Sequence, residues 1–210
     1  MPTPLNVLFS IVVSYLLGSI PTAYLFARVT KGIDIRQHGS GNVGATNAFR
    51  VLGKLAGTIV LLIDILKGIL ATTLVADFFQ FNSVLGRVVL GAVVVAGHNW
   101  TIFLQFKGGK GIATSLGVLI GIATTIVSIR PVLLATVLAW FITFFLSGFV
   151  SLSSIMASLI LLIAMILTSQ PLEIVCLGIV FCLWIVLRHR PNIKKLLSGT
   201  ENRVKLPFRK

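Results

Sequence analysis

Apolar residues occur along this chain in long continuous runs, unlike the short periodic patterns of a soluble domain. Seven runs are each long enough to cross about 30 Å of hydrocarbon as a helix. They cover approximately residues 5–27, 55–76, 84–106, 112–129, 132–150, a sixth run that ends near 168, and 172–187. The pattern predicts an all-α polytopic integral membrane protein with seven transmembrane helices, in one membrane-embedded domain over residues 1–210.

Composition supports a membrane protein and excludes an ordinary soluble domain. Hydrophobic residues make up 56% of the chain, the mean hydropathy is +1.03, and 18 basic residues stand against 5 acidic ones. The net charge of +13 does not require nucleic acid, because basic residues on one side of a membrane protein are the usual topology signal. We therefore expect membrane lipids, and no nucleic acid, as partners.

The basic residues also predict orientation. With seven crossings, the loops after the first and third runs share one face with the C-terminal tail. That face carries most of the cations, namely Arg28, Lys31, Arg36, Arg50, Lys54, Lys107, Lys110 and the basic tail after residue 187. The opposite face has Arg87 and Arg130. The positive-inside rule then places the N-terminus outside and the C-terminus, with every polar segment, at the cytoplasmic face.

The stretch 38–50, HGSGNVGATNAFR, concentrates polar groups and glycines in an otherwise apolar chain. Gly39, Gly41 and Gly44 allow positive φ and close approach of a ligand, and successive N–H groups in such a loop can bind an anion. Arg50 adds a fork of donors suited to phosphate. The alternative is a glycine-rich turn that joins two helices.

Three other patterns resemble known sites without fitting them. Residues 39–44 fit G-x-G-x-x-G, but no strand precedes them. Residues 106–111, FKGGKG, are not a Walker loop, because Gly111 follows Lys110 where Ser or Thr is required. His38, His98 and His189 lie far apart without acidic or cysteine residues at ligand spacing, so no metal is expected.

Two pairs of polar residues have more than one interpretation. Asp64 and Lys67 share one face of a membrane helix, where they either pair with each other or take a direct role. His189 and Asn192 flank Pro191 at the membrane boundary. His189 is a candidate general base, a donor to phosphate or a plain interface residue.

Three segments together closely resemble one family. They are GSGNVGATN followed by Arg50, GHNWTIFLQFKGGKGIAT, and RHRPNIKKLLSGTENR. They resemble the cytoplasmic motifs of the PlsY family of bacterial acyl-phosphate:glycerol-3-phosphate acyltransferases. The resemblance implies transfer of a long-chain acyl group from acyl phosphate to the sn-1 hydroxyl of glycerol-3-phosphate, giving 1-acylglycerol-3-phosphate and phosphate, at the bacterial inner membrane and without a cofactor. The H-x-x-x-x-D motif of other glycerolipid acyltransferases is absent, since Val43, Phe103 and Lys194 follow the three histidines at that spacing.

The resemblance also implies roles for individual residues. Ser40, Gly41 and Asn42 would cradle the acyl-phosphate headgroup, in a substrate-binding loop that Thr46 and Asn47 shape. Glycerol-3-phosphate would be bound by Arg50 and Lys110, helped by Ser154, His189 and Asn192, with Lys107 as a further candidate. Ser151 or Ser153 could replace Ser154. The residues expected to act in catalysis are Ser40, Lys110, His189 and Asn192.

The chemistry favours direct attack by the glycerol hydroxyl, because acyl phosphate already carries a good leaving group. Asp34 and Glu201 are the acids near the motifs, and each is expected to be a surface residue. The proton would pass to His189 or to a substrate phosphate. Two other functions fit the same sequence, namely a transporter or channel for a small phosphorylated anion and a non-enzymatic lipid-binding scaffold.

Overall fold

The computed structural model describes residues 2–81 and 83–204, and all regular secondary structure in these ranges is helical. The predicted tail cations Lys205, Arg209 and Lys210 lie outside the described residues. The chain forms two compact units, Met1–Thr125 and Ile126–Lys210. The all-α prediction is confirmed, and the single domain over residues 1–210 stays a prediction.

Within the described residues, four helical stretches are long and apolar enough to cross a membrane. They are Lys54–Phe78, Val84–Leu104, Val127–Ser147 and Val150–Leu167. Two bent pairs raise the number to six if each pair is one span: Pro4–Ser19 with Thr22–Lys31, and Leu172–Arg188 with Arg190–Leu197. The remaining predicted run is the shorter apolar helix Ile112–Thr125, whose 14 residues cover about 21 Å.

The first unit contains α1 to α7. Their bounds are α1 Pro4–Ser19, α2 Thr22–Lys31, α3 Ala45–Leu52, α4 Lys54–Leu70, α5 Ala76–Phe78, α6 Val84–Asn99 and α7 Ile112–Thr125, with a π-helical turn Ala71–Val75 between α4 and α5. Helix α4 packs on α7, and α1 packs on α6. Glycines permit both contacts, because a Cβ at Gly117 would overlap the backbone of Ile65 and one at Gly97 would overlap the backbone of Tyr15.

The first predicted run is two helices rather than one. Helix α1 ends before Ile20, and α2 starts after Pro21 with a bend of 42°. Proline has no N–H to continue the helix and disfavours helical geometry in the residue before it, and Ile20 accordingly has ψ 113°. The ammonium of Lys67 donates to the Ile20 carbonyl at 2.6 Å, so the break is stabilised by a residue far along the chain.

Charged groups are buried in the first unit, while large apolar side chains such as Leu62 and Leu74 are exposed. Asp64 and Lys67 pair at 2.7 Å, with side-chain exposures of 2% and 3%. The structure thus shows the mutual pairing that was one of two interpretations. A charged interior beneath an apolar exterior is the arrangement expected of a protein surrounded by lipid.

The second unit contains α8 Arg130–Ser147, α9 Val150–Leu167, α10 Leu172–Arg188 and α11 Arg190–Leu197. Helix α9 packs against both α8 and α10. Helices α8 and α9 are joined at Gly148, which has φ +78° and donates its N–H to the Phe144 carbonyl. The Arg203 guanidinium donates to the Ser147 carbonyl at 2.9 Å, which ties the chain after α11 to this turn.

Candidate functional site

The glycine-rich loop in the first unit is anchored at both ends by apolar side chains. Ile35 is fully buried and Val43 is 5% exposed, and both belong to a core cluster with Ala48 of α3. Between them, residues 38 to 40 are exposed, so the loop projects its polar groups from a fixed base. Buried anchors limit how far such a loop can move, which is the rigidity a binding loop needs.

Asn47 organises this loop from within. Its side chain is buried, and its Oδ1 accepts from the Ser40 backbone N–H at 2.8 Å. Its Nδ2 donates to the carbonyls of His38 at 3.0 Å and Ile35 at 3.3 Å. One amide therefore links both sides of the turn to the first turn of α3. This geometry agrees with the predicted loop-shaping role of Asn47, and its assignment to substrate binding stays a prediction.

Two glycines in the loop are required by its geometry. Gly39 has φ +62° and Gly41 has φ +72°, the left-handed region that other residues rarely adopt. A Cβ at Gly39 would also overlap the Asn47 side chain. The Gly41 N–H donates to the His38 carbonyl at 3.0 Å, which closes the turn around Ser40.

Asp34 is not a simple surface acid, and that expectation is wrong. Its carboxylate accepts three bonds from the Arg36 guanidinium, at 2.7, 3.0 and 3.2 Å, and one from the Arg36 backbone N–H at 3.0 Å. The Arg36 guanidinium, followed by that residue's N–H and then by Arg28, lowers the pKa of Asp34 from 3.8 to about 2 despite the opposing effect of burial. Arg28 and Arg36 also lie against the Tyr24 ring, so the cations are fixed at the start of the loop.

Helix α3 presents Thr46 and Arg50 one turn apart on its exposed face, while Asn47 and Ala48 face the core. Throughout the part of the chain that the structure describes, the Arg50 guanidinium has no hydrogen-bond or ion-pair partner. The Ser40 side chain is exposed as well. Among the described residues, this guanidinium and this hydroxyl have no internal partner, so both are available to an external anion.

The second glycine-rich segment, residues 106–111, folds back on the end of α6. The N–H of Gly108 donates to the Asn99 carbonyl at 3.1 Å, and that of Gly109 donates to the His98 carbonyl at 3.0 Å. A Cβ on either glycine would overlap His98 or its backbone, so only glycine permits this approach. Lys107 is exposed and Lys110 is half-buried, so both lysines lie on a loop with a fixed base.

In the second unit, a carboxylate joins two polar residues that come from different helices. Glu201 Oε1 accepts from the Ser151 hydroxyl at 2.8 Å and from Asn192 Nδ2 at 2.7 Å. Its other oxygen is buried and has no hydrogen-bond partner among the described residues. The expectation of a simple surface role for Glu201 is therefore wrong. Fifty residues separate Glu201 from Ser151, so no local signal in the sequence indicates the contact.

The neighbouring serines differ in their contacts. Ser153 donates to the Phe149 carbonyl at 2.8 Å. Ser154 donates to the Val150 carbonyl at 2.9 Å and accepts from Trp140 Nε1 at 3.3 Å. Ser151 is therefore the serine that contacts the same Glu201 oxygen as Asn192.

His189 is buried at the end of α10, where its Nδ1 lies 2.8 Å from the Ile185 carbonyl. A ring nitrogen facing a carbonyl is a donor, so the neutral imidazole presents Nε2 as its acceptor. Such a tautomer suits either a base or a ligand to a protonated group.

Each unit therefore assembles part of the predicted set. The first unit holds Ser40, Gly41, Asn42, Thr46, Asn47, Arg50, Lys107 and Lys110, and the second holds Ser154, His189 and Asn192. Within residues 2–81 and 83–204, no three His, Cys, Asp or Glu side chains are grouped to hold a metal ion.

Comparison with known proteins gives one consistent match. Residues 8–199 match the glycerol-3-phosphate acyltransferase family. The glycerol-3-phosphate acyltransferase of Trichormus variabilis is 42% identical over 92% of this chain and 90% of its own length. That of Bacillus velezensis is 41% identical over 93% of this chain and 96% of its own.

Two crystal structures of PlsY, an integral membrane glycerol 3-phosphate acyltransferase, are similar to this structure. The glycerol 3-phosphate form has a TM-score of 0.85 at 38% identity, covering 95% of this chain and 96% of that one. The lysophosphatidic acid form has a TM-score of 0.82 at 37% identity, covering 95% of each chain. This chain is therefore a membrane-embedded member of the PlsY family of glycerol-3-phosphate acyltransferases.

Proposed function

We propose that this protein transfers a long-chain acyl group from acyl phosphate to the sn-1 hydroxyl of glycerol-3-phosphate, releasing phosphate. The observation that carries the proposal is the preorganised loop at Ser40, held by Asn47 and followed by the exposed Arg50. Both substrates are phosphate anions, and this stretch offers the exposed Ser40 hydroxyl together with the guanidinium fork of Arg50. Glycerol-3-phosphate as a substrate follows from the family, and acyl phosphate as the donor is part of this proposal.

In this site Ser40, Gly41 and Asn42 hold the acyl-phosphate headgroup. Arg50 and Lys110 bind the phosphate of glycerol-3-phosphate. Fixed cations and N–H donors stabilise charge on the leaving phosphate without having to reorient during the reaction. Because the acyl donor is already activated, this charge stabilisation is the main contribution that the protein has to make.

His189, Asn192 and a serine of α9 contribute further polar contacts to the acceptor. Among the serines, the bond from Ser151 to Glu201 favours Ser151 over Ser153 or Ser154, because Glu201 also fixes Asn192. Lys107 is exposed and adds positive charge near Lys110.

The glycerol hydroxyl attacks the acyl carbon directly, so the C–O bond to phosphate breaks as the new ester bond forms. The proton passes to His189 Nε2 or to a substrate phosphate, whose second pKa is about 6. If His189 is the base, His189→Ala should lower kcat by roughly 10²–10⁴ at saturating substrates. If phosphate is the base, the variant should raise KM for glycerol-3-phosphate and keep measurable turnover.

We further propose that the seven apolar segments all cross the bacterial inner membrane as one domain, with the N-terminus outside and the site at the cytoplasmic face. The crowding of basic residues in the loops after the first and third segments supports this orientation. A cysteine at Ser198 should react with an impermeant reagent from the cytoplasmic side, and one at Thr3 from the outside. Labelling of both from the same side would contradict seven crossings.

The function is tested by incubating purified protein with acyl phosphate and labelled glycerol-3-phosphate, with acyl-CoA as the negative donor. We expect 1-acylglycerol-3-phosphate from acyl phosphate alone. An acyl ester trapped on Ser40 before the acceptor is added, and detected by mass spectrometry, would overturn direct attack while leaving the substrates unchanged.

A further inference from the structure

His98 lies between the loop that carries Lys110 and a buried ion pair. On one side, its imidazole sits directly against Gly109, where a Cβ would overlap Nε2. The Gly109 N–H also donates to the His98 carbonyl at 3.0 Å, so backbone and ring hold the same glycine. Gly109 immediately precedes Lys110 in the chain, so the position of the ring sets the path of the backbone into Lys110.

On its other side, His98 faces the carboxylate of Asp64. The ring nitrogen Nδ1 lies 3.9 Å from Asp64 Oδ1, and both side chains are buried. The same oxygen accepts from the Thr22 hydroxyl at 3.0 Å and from the Lys67 ammonium at 2.7 Å. A carboxylate held at several points is a fixed reference against which the imidazole can be oriented.

The ion pair is itself attached to the break in the first apolar segment. Lys67 Nζ donates to the Ile20 carbonyl at 2.6 Å, just before Pro21. Next to this break, the Thr101 hydroxyl donates to the Ser19 carbonyl, which holds the chain after α6 against the end of α1. The α1–α2 break, α4 and α6 therefore meet beneath the Lys110 loop.

We infer that His98 is a positioning residue for Lys110: the Asp64–Lys67 pair orients its imidazole, and the imidazole supports the Gly109 backbone so that the Lys110 ammonium meets the phosphate of glycerol-3-phosphate. This inference rests on the proposed role of Lys110. It assigns a function to a buried charge pair whose desolvation makes it a weak source of stability. It also explains why a histidine, with polar atoms on two sides, stands at this position.

A double-mutant cycle tests the inference, with His98→Ala, Lys110→Ala and the double variant assayed for both substrates. His98→Ala should raise KM for glycerol-3-phosphate by about 10- to 100-fold, the size expected when a binding group is misplaced by about 1 Å. KM for acyl phosphate should remain at the wild-type value. In the Lys110→Ala background the His98 substitution should have no further effect, because the group that it positions is gone.

Two further variants separate positioning from folding. His98→Gln can place an amide near the position of Nε2, whereas the shorter side chain of His98→Asn reaches only the position of Nδ1. Relative to His98→Ala, His98→Gln should therefore restore more of the affinity for glycerol-3-phosphate than His98→Asn. Val94→Ala removes buried volume one turn earlier on α6 and keeps the imidazole. It should lower the melting temperature without changing KM for glycerol-3-phosphate.

Failure of the proposed role of Lys110 can be distinguished from failure of the inference about His98. If Lys110→Ala alone leaves KM for glycerol-3-phosphate unchanged, the phosphate-binding role of Lys110 fails and this inference fails with it. If Lys110→Ala raises KM but His98→Ala lowers kcat/KM by the same factor in both backgrounds, the inference is wrong and the role of Lys110 stands. An unchanged KM in a folded His98→Ala variant would also overturn it.

Discussion

Removing the amide of Asn47 should disorganise the glycine-rich loop and lower activity. Asn47→Ala deletes three hydrogen bonds, to Ser40, His38 and Ile35, at 2.8, 3.0 and 3.3 Å. At about 1 kcal/mol net for each bond, the ordered loop should lose about 2–3 kcal/mol, since water can replace the bond at the exposed Ser40. A loop that is ordered for a smaller fraction of the time binds substrate correspondingly more weakly.

Because 2–3 kcal/mol permits a loss of at most roughly 30- to 150-fold, we expect kcat/KM for acyl phosphate to fall by about 10- to 100-fold. Asn47→Asp is the sharper variant, because it keeps the acceptor for the Ser40 N–H and turns the donor into an oxygen facing two carbonyls. It should be at least as damaging as Asn47→Ala at neutral pH. Its activity relative to wild type should rise on acidification, because a protonated carboxyl can donate again.

The control is Met165→Ala, which removes fully buried apolar volume from α9 and leaves both the hydrogen bonds and the apolar anchors of the loop intact. It should lower the melting temperature and keep kcat/KM at the wild-type value. Steady-state kinetics in detergent and thermal melts on the same preparations make the comparison. Wild-type kcat/KM in both Asn47 variants would refute the organising role of this amide.

Three further predictions concern charged residues. Arg50→Ala should cost on the order of 2–5 kcal/mol of transition-state binding. Arg50→Lys should recover little of that binding, because an ammonium lacks the bidentate fork. Wild-type kinetics in Arg50→Ala would remove Arg50 from the site. Glu201→Ala should lower stability by about 1–3 kcal/mol in thermal melts. Glu201→Gln should keep most of the wild-type stability, because its amide oxygen still accepts from both partners. Equal melting temperatures for the two variants would argue against the contact. Because Arg36 lowers the pKa of Asp34 from 3.8 to about 2, the stability from this pair is complete above about pH 4 and is lost as the pH falls toward 2; in melts over that range, Asp34→Asn should show a shallower decline than wild type.

The sequence predicts the apolar helices well, because membrane helices need hydrophobicity more than any particular contact. It does not predict where they break. The run over residues 5–27 is predicted as one helix, whereas Pro21 ends α1 and the distant Lys67 ammonium stabilises the break by donating to the freed Ile20 carbonyl. The sequence also does not predict the 57° bend at His189 between α10 and α11, because the basic tail has the composition of an irregular polar segment.

The candidate site was predictable in residue type and only partly in geometry. Glycine and polar residues indicate an anion-binding loop, yet nothing local distinguishes Asn47, which is buried inside the loop, from Asn42, which is half-buried. The sequence predicts a surface position for Glu201, because nothing near it indicates its contact with Ser151, fifty residues away. The close approach of Gly109 to His98 likewise depends on tertiary packing that spacing alone cannot indicate.

The most direct test of the central claim is the stoichiometry of the reaction with acyl phosphate as sole donor. Purified wild-type protein should convert labelled glycerol-3-phosphate to 1-acylglycerol-3-phosphate and release one phosphate for each ester formed, and Arg50→Ala in parallel should lose most of both signals. Replacing acyl phosphate with acyl-CoA should abolish product. Efficient ester formation from acyl-CoA, or phosphate release without ester, would contradict the account.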